Sequence, residues 1–177
     1  MGISHHKVII DLINERNIGK MVELGVWRCG LVKWTLRLCP NIQEIWLVDP
    51  FKIFPIKSTS RMSKLTEQDW DKYYSRTCRY MAYSSKVRTM RLKSLEAVTL
   101  FPDSYFDLVY IDTTHQYLDT LSEIKVWLPK VKKGGILGGH DYETTRVEHA
   151  GVKKAVDEIL GEGNIRKGED MVWLYQV

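Results

Sequence analysis

The sequence predicts an α/β protein built on one doubly wound, mostly parallel sheet. Segments typical of buried strands alternate with segments of helical periodicity along the whole chain. The segment 106–112 is almost continuously apolar, as expected of a strand that is covered on both faces. The length of 177 residues suits one domain with a single core.

The first half of the chain begins this alternation. Apolar residues in the segment 8–13 recur with helical spacing, and a strand is predicted to follow from position 21. A second helix is predicted over 31–38 and a second strand over 45–49. Apolar and polar side chains alternate over 87–92, which predicts a third strand.

The second half continues the pattern. The segment 106–112 is the fourth strand, and apolar residues over 121–128 predict the helix that follows it. A fifth strand is predicted to start at 136, after a Gly-Gly turn, and 171–177 is predicted as a terminal strand. The helix predicted over 152–160 has the clearest apolar face in the chain.

The segment 21–30 predicts a cofactor site, because a buried strand carrying an acid, Glu23, runs into a glycine loop. Gly25 and Gly30 occupy the first and third positions of the dinucleotide pattern G-x-G-x-x-G. Trp27 fills the middle position, where the backbone would have to approach a pyrophosphate closely. The loop therefore argues against NAD and FAD.

The residues after the loop argue against a phosphate loop as well. Leu31 and Val32 stand where that pattern requires Lys and Ser or Thr. What remains is a nucleoside without a pyrophosphate that carries positive charge to meet Glu23. S-adenosylmethionine (SAM) fits this description, because it has an ammonium, a sulfonium and a ribose diol.

Four motifs in order resemble those of class I SAM-dependent methyltransferases. They are the acid-glycine loop at 23–30, Leu-Val-Asp-Pro-Phe at 47–51, the strand with its Asp, His and Tyr at 106–117, and the segment 127–142. Within that superfamily the chain is similar to the small-molecule O-methyltransferase-like branch with a Gly-His-Asp-Tyr ending. The resemblance implies a single Rossmann-like domain over 1–177 with an antiparallel last strand. It also implies SAM-dependent methylation of an oxygen on a small molecule or sugar.

The resemblance implies roles for residues at the carboxyl ends of the strands, where open α/β sheets bind ligands. Glu23 would lie near the methionine ammonium, Asp49 would accept the ribose hydroxyls, and Ser94 would meet the adenine edge. Asp49 has an alternative role as a turn acid or helix cap, and Ser94 as a helix cap. The expected cofactor-binding residues are Glu23, Gly25, Val26, Trp27, Gly30, Asp49, Ser94 and Asp112.

The ends of the fourth and fifth strands carry the expected catalytic residues, His115, His140 and Asp141. Methyl transfer requires the acceptor and the methyl group to be held in line, and a hydroxyl acceptor must also lose its proton. A neutral imidazole near pH 7 suits the role of general base. His115 is the expected base, because it lies on the loop after the fourth strand.

A divalent metal site formed by Asp112, His140 and Asp141 is the alternative, which we favour less. Mg²⁺ prefers oxygen ligands, and the imidazole of His140 would suit Mn²⁺, Fe²⁺ or Zn²⁺ better. Two alternative functions are a hydroxylase-like enzyme of the same fold with a metal site and a non-catalytic SAM-binding or interaction protein.

The segment 52–85 is longer than a plain crossover connection requires. One interpretation is a lid-like insertion at 52–85 that covers the cofactor and shapes the acceptor pocket. The other is a crossover helix whose aromatic side chains pack onto the sheet. The residues that raise the question are Arg61, Lys64, Trp70, Tyr73, Tyr74, Arg76, Arg79, Tyr80 and Tyr83.

Composition limits the partners that we expect. The net charge of +4 is not concentrated in a run of Lys or Arg, so nucleic acid is not an expected partner, and no apolar stretch predicts a membrane span. The three cysteines have no metal-site spacing and indicate reduced thiols in a cytoplasmic protein. The expected partner is a small-molecule acceptor, and a homodimer is compatible with the sequence. We expect His5, His6 and His149 to be solvated surface residues.

Overall fold

The computed structural model describes residues 4–53, 64–146 and 149–177. Seven strands form one sheet with the order β3-β2-β1-β4-β5-β7-β6. All neighbouring pairs from β3 to β5 are parallel, and β7 runs antiparallel to both β5 and β6. The strands are β1 (Lys20–Leu24), β2 (Glu44–Val48), β3 (Val87–Met90), β4 (Phe106–Ile111), β5 (Val131–Gly139), β6 (Arg166–Lys167) and β7 (Trp173–Gln176).

Helices cover both faces of this sheet. The predicted doubly wound fold with an antiparallel last strand is confirmed. The helices are α1 (Ser4–Glu15), α2 (Gly30–Leu38), α3 (Glu67–Tyr83), α4 (Ser94–Ala97), α5 (Tyr117–Trp127) and α6 (Gly151–Leu160).

Alternation along the strands divides the core into two clusters. On one face, Met21 and Ile45 pack against α1, α2 and α3. On the other, Val22 and Val48 pack against α4, α5 and α6. Successive strand residues point to opposite faces, so each strand serves both clusters. This arrangement leaves the carboxyl ends of β1, β2, β4 and β5 together at one edge of the sheet.

The described part of the long segment between β2 and β3 is the helix α3. Thr66 begins this helix with a capping box in which its side chain and that of Asp69 each accept from the other's backbone amide. Trp70 and Thr77 are buried, and the hydroxyl of Thr89 in β3 donates to that of Thr77 at 3.2 Å. Residues 67–83 are thus the crossover helix of the second interpretation. The lid-like insertion at 52–85 stays a prediction, because 54–63 lie outside the described residues.

The start of β5 and the presence of β6 differ most from the sequence-based expectation. β5 starts at Val131 rather than at Ile136, and its register against β4 shifts between Phe106 and Leu108. The short strand β6 was not expected, because its two residues, Arg166 and Lys167, carry no apolar pattern. Among the described helices, none combines the length and the apolar character needed to cross a bilayer.

Candidate active site

The glycine loop after β1 touches the end of β4. Gly25 has φ +85°, and a Cβ at this position would lie 2.0 Å from the backbone carbonyl oxygen of Asp112. Only glycine fits both the left-handed backbone and this approach. The glycine is therefore needed for contact within the chain itself, whatever it later contributes to a cofactor.

The rest of the loop is also unusual in conformation. Trp27 and Cys29 have positive φ values of 45° and 60°. A Cβ on Gly30 would lie 2.4 Å from Nε2 of His6, so α1 packs directly under the start of α2. His6 is 9% exposed, and the expectation that it is a solvated surface residue is wrong. The side chain of His5 lies outside the described residues.

Asp49 follows β2 and holds the glycine loop in place. Its Oδ2 accepts from the amides of Val26 at 2.9 Å and Trp27 at 3.0 Å, and its Oδ1 accepts from the amide of Phe51 at 2.7 Å. Burial raises the pKa of Asp49, and these three hydrogen bonds act against that rise. The turn-acid alternative describes these contacts. A carboxylate has about four acceptor positions, so one remains for a ribose hydroxyl.

Glu23 is a buried carboxylate without a counter-ion among the described residues. It is 4% exposed, and its Oε2 has no hydrogen-bond partner there. Burial raises the pKa of Glu23 well above its ordinary value, and the charges of Asp112 and Asp49 raise it further. An unpaired buried charge is costly. The side chain therefore favours a cationic group at the end of β1.

The ends of β4 and β5 bring together the four residues predicted there. Nε2 of His115 lies 2.9 Å from Oδ1 of Asp112 and 3.0 Å from Oδ2 of Asp141. Nδ1 of His140 lies 3.4 Å from Oδ2 of Asp141 and 4.0 Å from Oδ1 of Asp112. We refer to Asp112, His115, His140 and Asp141 as the acid-histidine cluster.

A third imidazole, which sequence reasoning misplaced, completes this edge. Nδ1 of His149 lies 2.8 Å from Oδ2 of Asp141, and its ring stacks on that of His115 with centroids 4.3 Å apart. The side chain of His149 is only 13% exposed, so the expectation that it is solvated is wrong. It lies in the loop before α6, where no periodic pattern marks it. From the sequence, the one indication that His149 belongs to this site was its closeness along the chain to Asp141.

The charges in the cluster stabilise each other. Burial alone would raise the pKa of Asp112, but the hydrogen bond and charge of His115 hold it below its ordinary value. The same balance lowers the pKa of Asp141, through His140 and His149. Burial is the largest single influence on His115 and lowers its pKa, but the hydrogen bond to Asp112 and the charges of Asp112 and Asp141 together raise it above its ordinary value. The pKa of His140 is raised in the same way, by Asp141 and Asp112 against the effect of burial. These shifts favour the charged forms of His115 and His140, and the role of His115 as a base stays a prediction.

The donor set of the cluster fits a divalent cation. One ligand atom from each of Asp112, His115, His140 and Asp141 lies within 4.8 Å of every other. His115 thereby joins the three ligands predicted from sequence. Two imidazoles and two carboxylates suit Mn²⁺, Fe²⁺ or Zn²⁺ better than Mg²⁺. Oδ1 of Asp141 is buried and has no hydrogen-bond partner among the described residues.

Ser94 is joined to an acid that sequence reasoning missed. Its hydroxyl donates to Oε1 of Glu123, whose Oε2 accepts from Thr113 at 2.6 Å. Burial raises the pKa of Glu123 to about 7, although both hydroxyls act against it. Ser94 is the first residue of α4, and Lys93 precedes it as the cap, so a capping role for Ser94 is wrong. The sequence feature that could have revealed Glu123 was the presence of an acid on the apolar, buried face of α5.

Three solved structures described as O-methyltransferases have a similar fold. The O-methyltransferase NovP is 20% identical, with a TM-score of 0.70 over 99% of this chain and 80% of its own. TomG from Streptomyces achromogenes, an O-methyltransferase solved with SAM, is 12% identical, with a TM-score of 0.64 over 98% and 80%. CalS11, a TDP-rhamnose 3'-O-methyltransferase of calicheamicin biosynthesis, is 14% identical, with a TM-score of 0.63 over 96% and 77%.

Comparisons of the sequence identify the family of the chain. A search of curated proteins found no match. A family model described as a methyltransferase domain matches residues 22–142, which contain the glycine loop, Asp49 and the whole acid-histidine cluster. This match covers more than half of the 177 residues. The expectation of a SAM-dependent methyltransferase is confirmed, and the chain belongs to the methyltransferase domain family.

Proposed function

We propose that the protein transfers the methyl group of SAM to an oxygen atom of a small molecule. The observation that carries this proposal is the acid-histidine cluster beside the cofactor loop, at the ends of β4 and β5. Transfer to a hydroxyl requires removal of a proton; the carboxylates of this cluster are acceptors for that proton, and a cation held by the cluster would lower the pKa of the hydroxyl. NovP, TomG and CalS11 are each described as O-methyltransferases, which supports oxygen as the acceptor atom.

The residues at the ends of β1 and β2 would bind the methyl donor. The carboxylate of Glu23 would meet the ammonium of SAM, and the charge of that ammonium would offset the cost of burial. Amides of the loop from Gly25 to Trp27 would surround the methionine part, with Gly30 starting the helix behind it. Asp49 would accept a ribose hydroxyl at its remaining position, and Ser94 would lie at the adenine edge.

The acid-histidine cluster would hold a divalent cation rather than act through a free histidine base. Nε2 of His115 already lies between two carboxylates, and one ligand atom from each of the four cluster residues lies within 4.8 Å of every other. A cation bound there would take the place of the imidazole protons. A bound cation would polarise the acceptor hydroxyl and lower its pKa. Asp112, His115, His140 and Asp141 would orient the acceptor, and His149 would hold Asp141 in place. This reverses the preference that the sequence supported.

A methyl-acceptor screen with labelled SAM tests both parts of the proposal. Matched hydroxyl, amine and thiol compounds are offered to protein treated with chelator, and Mg²⁺, Mn²⁺ or Zn²⁺ is then added back. We expect label on hydroxyl acceptors only, activity lost with chelator, and recovery with Mn²⁺ or Zn²⁺. Transfer that is indifferent to chelator would restore His115 as the base. Binding of SAM without transfer to any acceptor would favour the non-catalytic alternative.

The variants for this assay are matched in charge. Asp112→Asn removes one ligand of the cluster, and Asp103→Asn removes a carboxylate that is 71% exposed and pairs with Lys130. We expect the first to lose both cation binding and transfer, and the second to keep both. Equal activity of the two variants would show that the cluster has no part in the reaction.

A further inference from the structure

Two guanidinium groups next to the glycine loop are held by aromatic rings. The Cζ of Arg28 lies 4.5 Å from the ring centre of Trp27 and 5.6 Å from that of Tyr73, and its Nε donates to the hydroxyl of Tyr73 at 3.1 Å. The Cζ of Arg76 in α3 lies 5.9 Å from the same tyrosine ring. Its Nη1 donates to the backbone carbonyl of Arg28 at 3.2 Å. Both arginines are half-buried.

No acid neutralises these groups within the described part of the chain. The ion pairs found there include neither Arg28 nor Arg76, and they do not include Arg79 one turn later in α3. The segment 54–63 contains Lys57 and Arg61 but no Asp or Glu. Among the other residues outside the described ranges, Glu148 is the one acid.

Further positive charge lies close by. Burial raises the pKa of Tyr80, and the charges of Arg76, Arg37 and Arg79 act against that rise. Burial also raises the pKa of Cys29 to about 12, where Arg76 and Arg79 again act in the opposite direction. Arg37, Arg76 and Arg79 thus lie near one another between α2 and α3, while Glu23 and Asp49, the acids that also act on Cys29, belong to the ends of β1 and β2.

Contacts with aromatic rings explain where each arginine lies, but not why two positive charges lie close to each other. A cation over an aromatic ring gains a modest electrostatic attraction. Two cations that share Tyr73 also repel each other. Each guanidinium carries five N–H donors, and each uses one in the contacts described. The donors that remain have the planar fork that matches a carboxylate or phosphate group.

We propose that Arg28 and Arg76 form a binding site for an oxyanion group, a carboxylate or a phosphate, at the edge of the cofactor loop. Two molecules could carry this anion, and naming them rests on the proposed function. One is the carboxylate of the methyl donor, because Arg28 follows the amides expected to surround its methionine part. The other is a phosphate or carboxylate of the acceptor. In either case the arginine pair selects an anionic ligand.

Calorimetry with two probes separates these sources. The first probe is S-adenosylhomocysteine, the demethylated donor, compared with its analogue that lacks the carboxylate. The second is inorganic pyrophosphate, added to the protein alone and to protein saturated with S-adenosylhomocysteine. The variants are Arg28→Lys, which keeps the charge and loses the fork, and Arg76→Gln. Arg16→Gln is the matched control, because Arg16 is exposed at the end of α1 before β1 begins.

Each result supports or overturns the proposal. A loss of at least tenfold in affinity for S-adenosylhomocysteine in Arg76→Gln, absent for the analogue without the carboxylate, assigns the site to the donor. A tenfold loss for pyrophosphate alone assigns it to the acceptor. Normal affinity for both probes in Arg28→Lys and Arg76→Gln overturns the proposal, as does an equal loss in Arg16→Gln. Pyrophosphate binding to a protein that does not bind S-adenosylhomocysteine would overturn the proposed function but keep the oxyanion site. Thermal melting checks that each variant is folded.

Discussion

The two halves of the candidate site are stabilised in different ways. The glycine loop after β1 depends on backbone geometry, with Gly25 against the carbonyl of Asp112 and three amides on Asp49. The acid-histidine cluster after β4 and β5 depends on titratable side chains that balance one another. Substitutions that change the backbone shape should therefore destabilise the loop. Substitutions that change the charge should destabilise the cluster.

The largest effect is expected at Gly25. A Gly25→Val variant must move the backbone at Asp112 and must also adopt φ +85°, which a β-branched residue disfavours. We expect a loss of about 4 kcal/mol or more in the free energy of unfolding. Urea denaturation followed by far-UV circular dichroism measures it. Gly163→Val is the control, since a Cβ there meets nothing within 4 Å. Equal stability of the two variants would contradict the shape dependence of the loop.

The next effect is expected at Asp141, which contacts all three imidazoles of the cluster edge. Asp141→Asn leaves those rings without their shared carboxylate and should cost about 3 kcal/mol of stability. The lowered pKa of Asp141 means that its stabilising effect is present above pH 3.8 and lost on acidification. The raised pKa values of His115 and His140 mean that theirs is complete below pH 6.5 and lost as pH rises.

The pH dependence of this variant sharpens the comparison. The difference in unfolding free energy between the parent and Asp141→Asn should be larger at pH 5 than at pH 8, with chelator present in both buffers. Asp103→Asn should show no such difference, because its carboxylate is largely exposed. A gap that widens at pH 8 would mean that the imidazoles are not charged partners of Asp141.

Glu23 lies next to the glycine loop, but its effect on stability comes from its charge. Its pKa is raised, so ionisation above pH 4.5 destabilises the protein without ligand. Glu23→Gln should raise the unfolding free energy by about 1–2 kcal/mol at pH 8 and by less at pH 5. The same variant should lose the thermal stabilisation that S-adenosylhomocysteine gives the parent. Glu15→Gln, an exposed change in α1, should alter neither. A destabilised Glu23→Gln protein would imply a partner for this carboxylate.

The smallest effect is expected at Ser94. Removing its hydroxyl takes away a hydrogen bond that lowers the pKa of Glu123, so this pKa should rise above about 7. NMR titration of the Glu123 carboxyl carbon in Ser94→Ala measures the shift, and the stability loss should be about 1 kcal/mol. Ser75→Ala, on the exposed face of α3, should leave the pKa of Glu123 unchanged. An unchanged value in Ser94→Ala would exclude the Ser94 hydroxyl as a determinant.

The fold could be predicted because the central strands are mostly apolar segments of the sequence. The same segments located Glu23, Asp49 and Asp112, since Glu23 is the penultimate residue of β1 and the two aspartates directly follow β2 and β4, whose carboxyl ends lie at the ligand edge. Helical periodicity likewise located α1, α2 and α6. These features depend on neighbours along the chain, which a sequence displays directly.

The contacts between distant segments could not be predicted. The pairing of His149 with Asp141 depends on how the loop before α6 folds back, and no periodic pattern encodes that path. The hydrogen bond from the Trp27 amide to Asp49 joins two segments 22 residues apart, and Trp27 itself has a positive φ that a residue of its type rarely adopts. The state of His115 depends on two carboxylates from different strands. In each case, contacts between segments distant in sequence determine the chemistry of the residue.

The short strand β6 has a consequence for assembly. It forms one outer edge of the sheet and consists of Arg166 and Lys167 alone, both exposed. A free edge recruits strands from other molecules, and a brief, positively charged edge discourages such pairing. Two copies of the chain would therefore not extend the sheet across this boundary. A homodimer, which stays a prediction, would have to associate through helices or through the opposite margin at β3.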